Sequence, residues 1–490
     1  RSTGTGGQSF SIGVQKTNTS FAAPYIVGYT GDSNGYSYDG SGLKWNNSST
    51  SYGSAASAGD VIGVAVDASG STASITYYKN NSSMGLAFSG ISGDLMPAMS
   101  STSGSGLCAI NFGQRPFAYT PPSGYKSLCT YNLPAASITN GAQYMAATTY
   151  TGTGAAQSIA NTVVNASFQP DFVWIKSRVN PASGYYHFLG DSVRGFSSGF
   201  LRGLYSNATD AEDTYPGSTY GGVTALNSNG FSLNIAGSGA FENNNATPYI
   251  AWQWKAGGTA VTNTAGSITS SVSANTTAGF SVVTYTGTGA NVTVGHGLGV
   301  APSMVIVKGR FATNWSVYHS ALTSAATSIL ILNSTGAVVG SLPSYWNSTA
   351  PTSSVFSLGT DSNVNGTNAA GLVTYCFAAI PGYSAFGSYT GNGSSDGTFI
   401  YLGFRPKFIM FKITSSTGDW QMWDASRDPY NVVGNLLDAN LSNAEQTGQY
   451  TLDFLSNGVK FRSGSIGNNS GQTYIYAAFA ENPFKYSLAR

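Results

Sequence analysis

"YTGTG" occupies Tyr150–Gly154, recurs at Tyr285–Gly289, and returns as "YTGNG" at Tyr389–Gly393. Three readings compete for so glycine-rich a string: a phosphate cradle, a tight turn or the punctuation of a repeat. The segments before it ("MAATTY", "FSVVTY", "YSAFGSY") have strand character. No Lys-Ser or Lys-Thr follows, as a phosphate-binding loop needs, and no helical pattern follows to hold an anion at its N-terminus. The motif therefore reads as the turn that ends the first strand of a repeated unit.

Working outward, Pro170, Pro302 and Pro406 each open an apolar run, "PDFVWIK", "PSMVIVK" and "PKFIMFK". A lysine closes each run at the same distance from its Pro, at Lys176, Lys308 and Lys412. The runs are apolar on both faces, which predicts central strands of a packed sandwich. "NGFSL" (Asn229–Leu233), "SVFSL" (Ser354–Leu358) and "NGVKF" (Asn457–Phe461) come next in order. Then "YIAWQW", "LVTYCF" and "YIYAAF" end on Trp254, Phe377 and Phe479. Many short strands separated by turn residues predict an all-β fold of tandem β-sandwiches, jelly-roll or concanavalin-like. The predicted repeats are 140–262, 275–383 and 384–490.

Residues 1–135 follow another pattern. "SFSIGV" and "YIVGY" read as its first two strands, followed by "GDVIGVAVD" (Gly59–Asp67), "ITYYKN" (Ile75–Asn80), "MGLAFSGI" (Met84–Ile91) and "CAINFGQRPFAY" (Cys108–Tyr119). Four such motifs in this order resemble a SPRY domain. That resemblance implies a sandwich of two antiparallel sheets used for binding. A SPRY-like domain followed by copies of "FVWIK…DSVRG…YIAWQWKAGG" resembles virion proteins, tail fibres among them, of marine and cyanobacterial tailed phages. The resemblance implies a structural protein on the virion surface, a tail fibre or appendage that binds a host-surface polysaccharide or receptor. It also implies other virion proteins as partners and, by analogy with phage fibres, a homotrimer. A capsid-attached decoration fibre without a receptor role and a secreted bacterial lectin-like adhesin are the alternatives.

Composition bounds the chemistry. Charged residues are 8% of 490, against about 25% in ordinary globular proteins, and the formal net charge is +1. No basic cluster suited to nucleic acid appears. Hydrophobic residues make up 41% and aromatics 13%, enough for a core. No apolar run is long enough for a membrane span. The chain opens at Arg1, which suggests a processed or trimmed piece. Cys108, Cys129 and Cys376 match no disulfide framework or zinc spacing, and Cys108 is expected to be buried on one strand face with Ile110 and Phe112.

Catalytic signals are sparse. His187, His296 and His319 fall at unrelated places in the copies, which argues against a shared triad. "GFSSG" (Gly195–Gly199) fits a nucleophile-elbow string, but that elbow needs a strand–turn–helix. No enzyme, metal or cofactor is expected. The one charged constellation that recurs is "DSVRG" (Asp191, Arg194) and "DASRD" (Asp424, Arg427), which becomes "HSALT" (His319–Thr323) in the middle copy. It reads either as an ion pair that fixes a turn or as a polar contact for a ligand. The same strand carries Tyr185, Tyr186, Trp315, Trp420 and Trp423, candidates for stacking on sugar rings.

Overall fold

The computed structural model describes residues 10–16, 26–70, 72–101, 109–129, 132, 137–161, 166–179, 186–235 and 241–481. The chain divides into two compact units, Arg1–Pro134 and Ala135–Arg490. Strand dominates both. The α-helices among the described residues are single turns at Gly217–Tyr220, Pro343–Trp346 and Ser362–Asn365.

In the N-terminal unit one antiparallel sheet runs Ser48–Ser51, Leu43–Asn46, Gly35–Asp39, Ser11–Lys16, Leu95–Ser100. A second runs Ile62–Asp67, Ala73–Lys79, Ser82–Ile91. Alternate residues such as Val14, Tyr38, Ile75 and Tyr77 fill the space between them, as the period of two requires. Two sequence expectations are corrected. Ile26–Tyr29 is a turn, and the second strand is Gly35–Asp39. The closing motif is irregular from Ala109 to Tyr119, with Ile110 and Phe112 exposed, and Cys108 lies outside the described residues.

In the C-terminal unit the three copies share one strand order. The first copy's main sheet pairs Met145–Thr151, Pro248–Trp254, Phe172–Ser177, Phe188–Asp191 and Leu204–Tyr205, in that order. The second repeats it with Phe280–Tyr285, Leu372–Phe377, Met304–Gly309, Trp315–His319 and Leu330–Ile331. The third uses Ser384–Thr390, Thr473–Ala480, Pro406–Ile413, Trp420–Asp424 and Val433–Asp438. A smaller outer layer covers each main sheet. Lys176, Lys308 and Lys412 stand at one equivalent position, opposite Ile250, Val373 and Ile475.

The opening motif is a turn, and the structure gives its cause. The Tyr150, Tyr285 and Tyr389 hydroxyls donate to the carbonyls of Glu242, Val364 and Gly467. The next residues, Asn243, Asn365 and Asn468, are fully buried. Their side-chain oxygens accept from the backbone N–H of Thr153, Thr288 and Asn392. A Cβ on Gly152, Gly287 or Gly391 would collide with the backbone beside those asparagines. Gly154, Gly289 and Gly393 take φ of 62, 69 and 67°, where glycine is favoured.

The copies are not separate beads. One hydrophobic core contains residues of all three, including Trp174, Trp252, Trp315, Tyr375, Trp420 and Phe408. The aromatics that end the last strands meet one another: Trp254–Phe377, Trp254–Phe479 and Phe377–Phe479 centroids lie 6.2, 5.7 and 5.7 Å apart. These rings mark the axis of a threefold ring closed within a single chain.

Candidate functional site

The ring closes through a repeating set of contacts. Lys308 Nζ donates to the Thr209 carbonyl at 3.4 Å, Lys412 Nζ to Thr335 at 3.0 Å and Lys176 Nζ to Ser442 at 3.1 Å. Second joins first, third joins second and first joins third. The neighbouring strand repeats this order. Trp315 Nε1 donates to the Tyr205 carbonyl and Trp420 Nε1 to the Ile331 carbonyl, at 2.8 and 2.9 Å. His187 occupies the tryptophan position in the first copy, and its Nε2 donates to Asp438 O at 3.0 Å. Its Nδ1 accepts from Trp174 Nε1, so the ring is neutral. Burial, then the Lys176 charge, holds its pKa well below the usual histidine range.

Asp191 and Asp424 occupy equivalent positions on the strands that carry these rings. Asp191 accepts from Arg194 Nε at 2.5 Å and, across the boundary, from the Tyr375 hydroxyl at 2.9 Å. Asp424 accepts from Arg427 Nε at 2.6 Å and from Trp252 Nε1 of the first copy at 3.1 Å. Burial pushes the Asp424 carboxyl up, but the Arg427 charge and its hydrogen bonds outweigh this and leave it below the usual range. His319 takes the place in the middle copy, its Nε2 bonded to Tyr476 O at 3.1 Å, with burial lowering its pKa to about 4. Arg194 and Arg427 reach on to Glu212 and Glu445, which also bind Arg310 and Arg178 of the adjoining copies.

The site expectations are corrected accordingly. Asp191, Arg194, Asp424, Arg427, Trp315, Trp420 and Trp423 are all buried. No sugar face can reach Trp315 or Trp420, because copy packs on copy there, or Trp423, which packs against Phe411 inside its own copy. The ion-pair reading of the Asp–Arg spacing is the one the geometry supports. Tyr186 is half-buried against Tyr205 and Tyr215, and Tyr185 lies outside the described residues. "GFSSG" forms the turn of a two-stranded hairpin, Phe196–Ser197 with Phe200–Leu201, and no helix follows.

Two surface features stand out among the described residues. A groove of about 460 Å³ is lined by residues that include Gln169, Asp171, Lys255, Gly258, Asn275 and Thr276. Its Asp171 carboxylate is already satisfied by Ser192 Oγ and the N–H groups of Ala256 and Gly258. The second feature is an aromatic strand. Phe399 and Tyr401 point outward from Phe399–Tyr401, 44 and 61% exposed, with Ile400 between them in the core. Alternation in "TFIYLGF" carries this signal, but the outward face becomes apparent only once the strand has a partner. Among the described residues, no group of three His, Cys, Asp or Glu side chains could hold a metal ion. None of the described helices is long and apolar enough to cross a membrane.

Comparison with known proteins divides the chain at the same place. Residues 140–483 match a domain of unknown function, DUF7483, and residues 2–115 match the SPRY domain. A curated relative, the E3 ubiquitin-protein ligase RKP of Arabidopsis thaliana, is 36% identical over 127 residues, 24% of this chain and 10% of that protein. The chain thus spans about a tenth of that relative's length.

Proposed function

The chain belongs to the DUF7483 family, and on that premise we propose that it is a non-catalytic attachment protein of a virion. In this reading it is a tail fibre or appendage that binds a host-surface polysaccharide through β-sandwich modules. The observation that carries this reading is the closed ring. Each copy's lysine and ring N–H groups are committed to its neighbour, which makes the C-terminal unit a stiff carrier for its outward loops. Those loops are rich in hydroxyl and amide groups, the partners that sugar hydroxyls need. The SPRY module at the N-terminus supplies a second binding fold. Gold-labelled antibody against the chain should decorate tail structures of the particle, and the labelled chain should adsorb to marine or cyanobacterial cells. Label on the capsid shell would favour the decoration fibre, and a particle without label would end the virion reading.

A further inference from the structure

We propose that the outward face of Phe399–Tyr401 is a stacking platform for a neutral glycan, present in the third copy alone. The proposal rests on the attachment reading and gives it a site.

The three copies supply the comparison. Phe399–Tyr401 pairs antiparallel with Gly458–Phe461, Ile400 facing Val459. The corresponding strands are Gln157–Ala160, with Ile159 opposite Phe231, and Val292–Gly295, with Val294 opposite Phe356. The inward residue is aliphatic each time. The residues beside it are Ser158 and Ala160 in the first copy, Thr293 and Gly295 in the second, where the Asn263 side chain covers Gly295, and Phe399 and Tyr401, facing outward, in the third. Two copies thus build this strand with small side chains, so folding does not require the rings. Leaving two large aromatic faces in water is unfavourable unless something covers them.

The rings lie over glycine. A Cβ on Gly458 would stand 3.0 Å from Phe399 Cε2, and one on Gly403 would stand 3.6 to 3.9 Å from the outer atoms of the Tyr401 ring. With no side chain beneath, each ring can lie along the sheet and turn a face outward. That electron-rich face attracts the polarised C–H groups on one side of a pyranose. Residues two apart on a strand are about 7 Å apart, close enough to touch neighbouring units of one sugar chain. Lys460 faces Phe399 across the strand pair and binds Asp396 at 2.6 Å. Asp396 is 83% exposed as a side chain, so donor and acceptor groups for hydroxyls flank the rings.

The same features decide against other occupants. The two rings expose roughly 200 Å² together, well short of the ~800 Å² a stable protein interface needs per partner. Stacking on single-stranded nucleic acid needs a positive groove, and here Asp396 neutralises Lys460.

The test is affinity electrophoresis of the full chain in native gels cast with a neutral β-glucan, an α-mannan or a galactan. Wild type should be retarded in at least one. F399S/Y401A, which installs the first copy's residues, should lose affinity at least tenfold with an unchanged melting temperature, and Tyr401→Ala alone should lose part of it. Equal retardation of wild type and F399S/Y401A would overturn the platform and leave the strand's free edge as the contact. So would an unretarded wild type in all three gels. Cell adsorption by the labelled chain separates the two ideas: adsorption without retardation removes the platform alone, whereas failure of both removes the attachment reading as well.

Discussion

Lys176 Nζ donates to the carbonyl of Ser442, 3.1 Å away and 266 positions along the chain. This contact closes the ring from first copy to third. It places an ammonium among carbonyls, with no carboxylate bonded to it among the described residues, and burial lowers its pKa to about 8. The other two lysines share the arrangement, and each consequence can be measured.

The sharpest case is Lys308, which burial brings down to about 7. Unfolded lysine titrates near 10.4. Between these values the folded state binds fewer protons than the unfolded one, so stability rises with pH. Urea titrations of wild type and Lys308→Met should differ by an amount that is flat below pH ~7 and shifts in favour of wild type up to pH ~10. A difference independent of pH over that window would show the lysine to be unperturbed.

Glu242 gives the opposite slope. Burial raises its carboxyl to about 8. From the unfolded value of ~4.3 up to about 8 the folded state holds the extra proton, so stability falls as pH rises. Glu242→Gln mimics the protonated acid. It should match wild type at pH ~4 and surpass it increasingly toward pH ~8 in the same titrations.

The buried ion pairs should be unequal to the exposed ones. Arg194→Met leaves Asp191 buried without a countercharge and should cost about 3–5 kcal/mol. Arg310 is partly exposed, and Arg310→Met should cost about 1 kcal/mol or less. Chemical denaturation monitored by tryptophan fluorescence reads both. Equal losses would contradict the assignment of Arg194 to the interior.

Asn365 donates to the carbonyls of Ala290 and Gly359 and accepts from Thr288 N–H. Asn365→Ala removes all three bonds and leaves the buried Gly359 carbonyl without its partner, and should destabilise by about 1–3 kcal/mol. Hydrogen exchange should show the Thr288 amide losing protection first.

On the attachment reading, binding should tolerate salt. The chain carries 21 basic and 20 acidic residues, so there is little net field to screen. Stacking and neutral hydrogen bonds are short-ranged, and binding to the host surface should change less than about threefold between roughly 0.05 and 0.5 M NaCl. A tenfold loss would mean that charged groups hold the ligand.

By itself the sequence determined the repeat and the order of its main strands in the C-terminal unit, though it misplaced the second and closing strands of the N-terminal one. Period-two alternation, Pro at a strand entry and Lys at its exit are local properties, and they survive in any packing. The turn character of "YTGTG" was legible for the same reason, though the asparagine that clasps it was not: "ENNNATPY", "NVNGTNAAGL" and "GNNSGQTY" share little beyond that residue. Tertiary structure alone decided what each face meets. Alternation shows that Trp420 and Met422 share a face, but not whether that face meets solvent or another copy. Trp252 and Asp424 are 172 positions apart, and no local pattern joins them. Copies that can bury apolar faces against one another do so, because removing that area from water outweighs leaving it open as a binding surface. Phe399 and Tyr401 stay exposed because they sit on an edge strand.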